Sequence, residues 1–288
     1  MEEAYESNGS GIDWNSRRQY VGPHAEWARR KYFYQGGNSY TDLYQSVYEK
    51  LEVDPASSIL DVGSADGRSL LNLRPEHTGP LYALDITNGF MAGENKAEEE
   101  NLDPFIPLIG SAQMIPLADH SVDNTIAILS LYHTEDPEAA VREIIRVTKS
   151  DGGFGFATSG SNNKQFHHAA LARVAKALNF EPPAKFNERF DFVKAGEILT
   201  KLFAKVEWVQ VTDEFVIDDQ NYKQQMTRYL ESFDSMKASF PQSISYKEQW
   251  LKWRRDEVET PIFKQILARG KFVEPIEMYY FVCHEPLA

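Results

Sequence analysis

The sequence predicts an α/β fold: a three-layer sandwich around a seven-stranded, mostly parallel sheet, with a helical segment before it and a helical insertion ahead of its last strand. Three observations carry that expectation. Short apolar runs alternate with helical patterns from Ser57 to about Thr212. Most of those runs are continuously apolar, as in strands buried on both faces. A Tyr-, Phe- and Val-rich run, Ile276 to Cys283, returns after a long helical stretch and reads as a final strand. At 288 residues the chain is long for one domain and short for two, which fits one domain with appendages.

Residues 1–54 form the first zone, a helical segment expected to act as a lid, the alternative being a permanently docked strap. Trp14, Tyr20, Trp27, Tyr32, Phe33 and Tyr34 give it apolar surface that must bury itself, and Gly36-Gly37 supplies a bending point. Tyr40, Leu43, Tyr44, Val47, Tyr48 and Leu51 recur at helical spacing, with Asn38 or Ser39 as cap. Residues 55–217 form the core. Its strands are expected at Ile59–Val62, Leu81–Ile86, Phe105–Ile109, Thr125–Leu129, Gly153–Thr158 and Val206–Val211. A helix is expected over Asp136–Lys149, capped by Asp136, opened by Pro137 and stopped by Gly152-Gly153. Residues 218–275 form a helical cap. Tyr222, Met226, Tyr229, Leu230 and Phe233 lie on one stripe there, and Tyr246, Trp250 and Trp253 on another. Residues 276–288 complete the sheet.

Composition narrows the function. Hydrophobic residues at 42% and aromatics at 12% exclude a disordered polyelectrolyte. The net charge of -13 opposes sequence-independent attraction to phosphate backbones, so nucleic acid is not an expected partner. The one cysteine, Cys283, can form neither an internal disulfide nor a multi-thiolate metal site. No membrane-length apolar run and no basic leader occur, so the expected location is cytoplasmic, with no membrane partner and no metal. A homo-oligomer is compatible with the sequence.

The chemistry gathers at Ile59-Leu60-Asp61-Val62-Gly63-Ser64-Ala65-Asp66-Gly67-Arg68, a buried strand running into a small-residue turn at an expected helix start. Small residues let a ligand approach the backbone, and unpaired amides at a helix start would face it. A dinucleotide fingerprint needs glycine at 63, 65 and 68, whereas this chain has Ala65 and Arg68, which weakens a nicotinamide reading. About twenty residues on, Asp85 ends a second strand. It either accepts from two ribose hydroxyls or caps the following helix.

In this ordered set the sequence resembles the class I S-adenosylmethionine-dependent methyltransferases, in the branch of the ubiquinone and menaquinone biosynthesis enzymes and many small-molecule methyltransferases. Asp61 to Gly67 is similar to the family's first motif, Asp85 to its ribose-binding acid and Gly110 to Leu117 to its adenine-binding segment. Ser121-Val122-Asp123, Tyr132-His133 and Arg142 to Val147 before Gly152-Gly153 complete the series, over about Ser57 to Thr158. The resemblance implies a Rossmann-like core that binds S-adenosyl-L-methionine and transfers its methyl group to a small-molecule substrate. A cofactor-binding protein or non-methylating enzyme on the same fold is the alternative. The implied cofactor-binding residues are Asp61, Gly63, Ser64, Ala65, Gly67, Asp85, Ile86, Ser111, Ala112, Gln113, Leu129 and Ser130. Asp61 would orient the cofactor's amino group, and Gly63, Leu129 and Ser130 would surround its methionine part. Arg68 is either a partner for the methionine carboxylate or a solvated helix residue. Two departures stand out: Ala65 where the family has its central glycine, and Ser111 where it often has an aspartate.

An oxygen or protonated nitrogen acceptor must lose a proton, and histidine is the natural base near neutrality. His133, just past the fourth strand, is the first candidate catalytic residue, or else a lining residue of the loop. His167 and His168, after the fifth strand, come next; adjacent on a helix, only one of them can face the crevice. His24 is a more remote candidate.

Overall fold

The computed structural model describes residues 41–67, 70–160, 165–177, 190–235 and 245–287. The expected lid from Trp14 to Tyr34, the caps Asn38 and Ser39, His24 and Arg68 lie outside the described residues.

Chain order runs α1 (Thr41–Lys50), β1 (Ile59–Val62), a 3-10 turn at Leu70–Leu73, β2 (Leu81–Asp85), α2 (Met91–Glu99), β3 (Ile106–Ile109) and β4 (Val122–Ile128). A second 3-10 turn, Leu131–His133, leads to α3 (Pro137–Val147), β5 (Thr148–Ser159), α4 (Gln165–Ala177), α5 (Phe192–Leu202) and β6 (Phe203–Asp218). The remainder is α6 (Tyr222–Ser235), α7 (Ser245–Trp253), a π-helical turn (Arg254–Glu259), α8 (Thr260–Arg269) and β7 (Lys271–Pro286).

Among the described residues seven strands form one sheet in the order β3-β2-β1-β4-β5-β7-β6. The first five positions pair in parallel, and β7 runs antiparallel to both β5 and β6. The strand order reverses beside β1, so the carboxyl ends of β1, β2 and β4 meet at the switch point where such sheets hold ligands.

The pleat sorts each strand's residues between two layers. On β1, Ile59 faces one layer and Leu60 and Val62 the other. The first layer is closed by Tyr44, Val47 and Leu51 of α1 and Ala97 of α2, the second by Val141 and Ile144 of α3 and Ala195 and Leu199 of α5. A third apolar cluster joins Ala170 and Val174 of α4 to Met226, Trp250, Ile262 and Ile266, against Phe215, Ile217 and Phe272 where β6 and β7 extend past the sheet. That cluster is the core of the helical cap.

Several expectations change. β3 lies at the edge with Ile106 and Ile109 exposed, rather than buried on both faces. The helix expected to 149 ends at Val147, because Thr148 is already extended and starts β5, so Gly152 and Gly153 lie within the strand. Asp136 caps α3 as expected, accepting from the Ala139 amide at 3.0 Å. β6 and β7 are far longer than their apolar runs, since an antiparallel pair can leave one face to water.

Candidate functional site

Asp61 stands one residue from the end of β1, on the face that carries α1, and is fully buried. The Tyr44 hydroxyl donates to its Oδ2 at 3.1 Å. Its Oδ1 is buried and accepts no hydrogen bond among the described residues. Burial therefore pushes the carboxyl up to about 7, opposed by the Tyr44 hydrogen bond and reinforced by the charge of Asp85.

The turn after β1 departs from expectation in one respect. The Gly63 and Ser64 amides both donate to the Leu84 carbonyl, at 2.8 and 2.9 Å, and the Ala65 amide donates to Asp85 Oδ2 at 2.9 Å. These amides tie β1 to β2 instead of facing a ligand unpaired. The turn then enters the four-residue 3-10 segment at Leu70 rather than a longer α-helix. Close approach of the neighbouring strand end, not free donors, is what the glycines of the turn supply. Gly63 has φ +78°, and a Cβ there would lie 2.4 Å from Ser130 Cβ, so no other residue fits between the ends of β1 and β4. Gly67 also has a positive φ, and Ala65 takes φ +56° despite its side chain.

Asp85 ends β2 next to half-exposed Ile86. Besides the Ala65 amide, it accepts from the Thr87 amide and hydroxyl through Oδ1, at 2.9 and 2.8 Å. Burial raises its carboxyl above the usual carboxylate range while these donors oppose the shift. With about four acceptor positions on a carboxylate, two ribose hydroxyls fit only if the Thr87 hydroxyl turns away.

The segment after β3 is a compact turn. Ser111 Oγ accepts from the Gln113 amide at 3.1 Å, Gln113 Oε1 accepts from the Glu135 amide, and Ala112 packs against the second apolar layer. A clamp on α3 holds its continuation. Arg146 donates to the carbonyls of Ile115 and Leu117 and to Asp119, and pairs with Glu143, which accepts from the Ile115 amide at 2.9 Å. Arg146 draws Glu143 below the usual carboxylate range. At the end of β4, Leu129 has φ +53°, and Ser130 donates to the Val62 carbonyl at 2.6 Å. The cofactor-binding residues expected from sequence thus stand at the ends of β1, β2 and β4 and in the turn after β3.

His133 closes the 3-10 turn after β4, half-buried with its ring 4.4 Å from that of Tyr132. His167 and His168 stand in the first turn of α4, and their side chains lie outside the described residues. β4 and β5 are neighbours, so both candidate positions follow adjacent strand ends. Tyr44, Thr87, Glu143 and Arg146 were not singled out as site residues from the sequence. The i, i+3 spacing of Glu143 and Arg146 was the available signal for their pairing. Among the described residues no helix is long and apolar enough to cross a membrane, and no cluster of three His, Cys, Asp or Glu side chains could hold a metal.

The arrangement fits S-adenosylmethionine on its own evidence: a buried carboxylate oxygen with no partner among the described residues suits an ammonium group. Residues 60–156 match a methyltransferase domain family. A demethylmenaquinone methyltransferase of Halalkalibacterium halodurans is 31% identical over 111 residues, 38% of this chain and 45% of that protein. The first relatives are each matched over less than half their length. The YcgJ protein of Bacillus subtilis shares the fold, with TM-score 0.53 and 16% identity over 84% of this chain and 98% of that one. The [4+2]-cyclase SpnF shares it too, at 0.51 and 16% over 85% and 80%. The likeness is thus to a methyltransferase domain over residues 60–156, on a fold that solved structures share.

Proposed function

We propose that the protein is an enzyme that binds S-adenosyl-L-methionine and transfers its methyl group to a small organic molecule. The observation that carries the reading is the buried Asp61 carboxylate with an unpartnered oxygen, beside a glycine turn where three strand ends meet. The bound cofactor supplies an electrophilic methyl group on its sulfonium, so no side chain has to become covalent. Asp61 accepts from the cofactor's ammonium group. Asp85 holds the ribose, with Ile86 alongside, and the turn at Ser111, Ala112 and Gln113 holds the adenine. Gly63, Leu129 and Ser130 border the methionine part, and Ser64, Ala65 and Gly67 shape the turn. The protein's share of catalysis is to orient donor and acceptor and to exclude water. For a hydroxyl or protonated nitrogen acceptor, His133 takes the proton, with one of His167 and His168 as the second choice.

A cofactor-dependent enzyme that does not methylate is the second reading, favoured by the shared fold of the [4+2]-cyclase. Mass-detected product analysis over a panel of metabolites separates the two. In calorimetry the protein binds S-adenosylhomocysteine and not NAD. Asp85→Asn, which keeps the side chain's size but sets an amide N–H against one of the two backbone donors, weakens that binding by roughly 1.5–3 kcal/mol. Unchanged affinity, or tighter binding of NAD, sinks the assignment. His133→Ala lowers turnover by about 10² to 10⁴ with homocysteine-adduct affinity preserved; near-normal turnover removes His133 from the chemistry.

A further inference from the structure

α1 lies unusually close to the sheet. Gly155 on β5 leaves the gap that Val47 fills, since a Cβ there would stand 2.2 Å from Val47 Cγ1. Three further contacts fix the helix along its length. Tyr48 and His77 Nδ1 share a hydrogen bond at 3.3 Å, Gln45 donates to Glu76 at 2.9 Å, and Lys50 pairs with Glu207 at 2.7 Å. Held in this way, α1 delivers the Tyr44 hydroxyl to Asp61 Oδ2 through an apolar layer.

This contact has a chemical consequence that packing alone does not require. The ladder neighbours of Asp61, Ala83 on β2 and Ile126 on β4, are apolar and buried. Among the described residues, the ionisable groups acting on Asp61 are Tyr44 from α1, which favours the charged form, and Asp85 from β2, which opposes it. Phenylalanine at position 44 would serve the apolar layer equally well, so the hydroxyl answers to the carboxylate.

Resting on the cofactor reading above, we propose that Tyr44 is a positioning residue of the cofactor site. Its hydroxyl fixes the Asp61 carboxylate through Oδ2 and favours its charged form, leaving Oδ1 for the cofactor's ammonium group. The helix that precedes the sheet is thereby part of the binding machinery. Substrate-free protein carries Asp61 near the midpoint of its titration at neutral pH. Below that point binding has to expel a proton, and affinity falls roughly tenfold for each pH unit. Loss of a hydrogen bond to the charged form moves the carboxyl further up.

The test is calorimetric titration with S-adenosylhomocysteine from about pH 5.5 to about 8.5, on the intact chain and on Tyr44→Phe, Asp61→Asn and the double variant, with circular dichroism confirming each fold. In the intact chain affinity falls below about pH 7. In Tyr44→Phe the fall begins about one pH unit higher, and affinity on the alkaline side drops by about three- to tenfold. Asp61→Asn removes the fall, and adding Tyr44→Phe to it changes affinity no further. A Tyr44→Phe profile superimposable on that of the intact chain, or lowered evenly without displacement, overturns the role of Tyr44 and leaves the cofactor reading standing. Absence of binding by the intact chain at every pH overturns the cofactor reading itself.

Discussion

Ala65 shows how much a single position concedes to the site. An L-residue in the left-handed region brings its Cβ against the following carbonyl, at a cost of roughly 1–2 kcal/mol, yet Ala65 has φ +56°. The bond from its amide to Asp85 Oδ2 holds it there. Leu129, φ +53°, repeats the pattern at the end of β4, its amide donating to the Ala157 carbonyl at 3.0 Å. Both strained residues follow the carboxyl ends of paired strands, β1 and β4, at the switch point of the sheet, and backbone strain tends to be kept at functional sites. Ala65→Gly relieves the contact at the expense of greater freedom in the unfolded chain. Its net effect is a gain of about 0.5–1 kcal/mol in urea unfolding with cofactor affinity unchanged. A loss of stability would show that the left-handed conformation is not the strained element. The substitution of alanine for glycine was visible in the sequence as a departure, but its backbone angle was not, because alanine carries no signal for a positive φ.

At the scale of elements, α3 does two unrelated jobs with its two faces. Val141, Ile144 and Val147 anchor it on the sheet, while Glu143 and Arg146 hold the chain from Ile115 to Asp119 in place. The pair with Asp119 is largely exposed and contributes little; the bonds to the Ile115 and Leu117 carbonyls set the loop. Arg146→Met keeps an unbranched side chain that covers the helix and removes all of them. The expected result is faster hydrogen exchange over residues 110–119 and about tenfold weaker binding of S-adenosylhomocysteine, with a global loss of about 1–3 kcal/mol. Unaltered exchange in that loop would show that the turn supports itself. Only the Glu143–Arg146 pair had a signal in the sequence, its i, i+3 spacing; the loop partners lie some thirty residues upstream and leave none. β3 is different. Its run Ile106-Pro107-Leu108-Ile109 looked buried, but Pro107 was the clue, because proline inside a sheet is confined mainly to edges and bulges.

Across the whole molecule, what the sequence made legible follows apolar continuity. β1, β2 and β4 were located within a few residues because they are buried, and burial writes itself as uninterrupted hydrophobic runs. The extensions of β6 and β7 were missed because Asp213, Glu214 and Glu274 interrupt the pattern there, and pairing rather than apolarity continues the ladder. The glycine turn and the strand-end acids were equally visible, whereas Tyr44 reads as one more aromatic on an amphipathic stripe until the sheet is present to show what its hydroxyl meets.

The pairing of Asp218 with Lys271 closes the β6–β7 ladder at the mouth of the cap. The chain therefore leaves the sheet after Asp218 and rejoins it at Lys271 in facing positions, like a cartridge plugged into a two-pin socket. The registers of β1, β2 and β4 do not depend on what the cartridge holds. That stretch follows β1, β2 and β4 in the chain, so a change of length between its two ends inserts no residue into their pairings with one another.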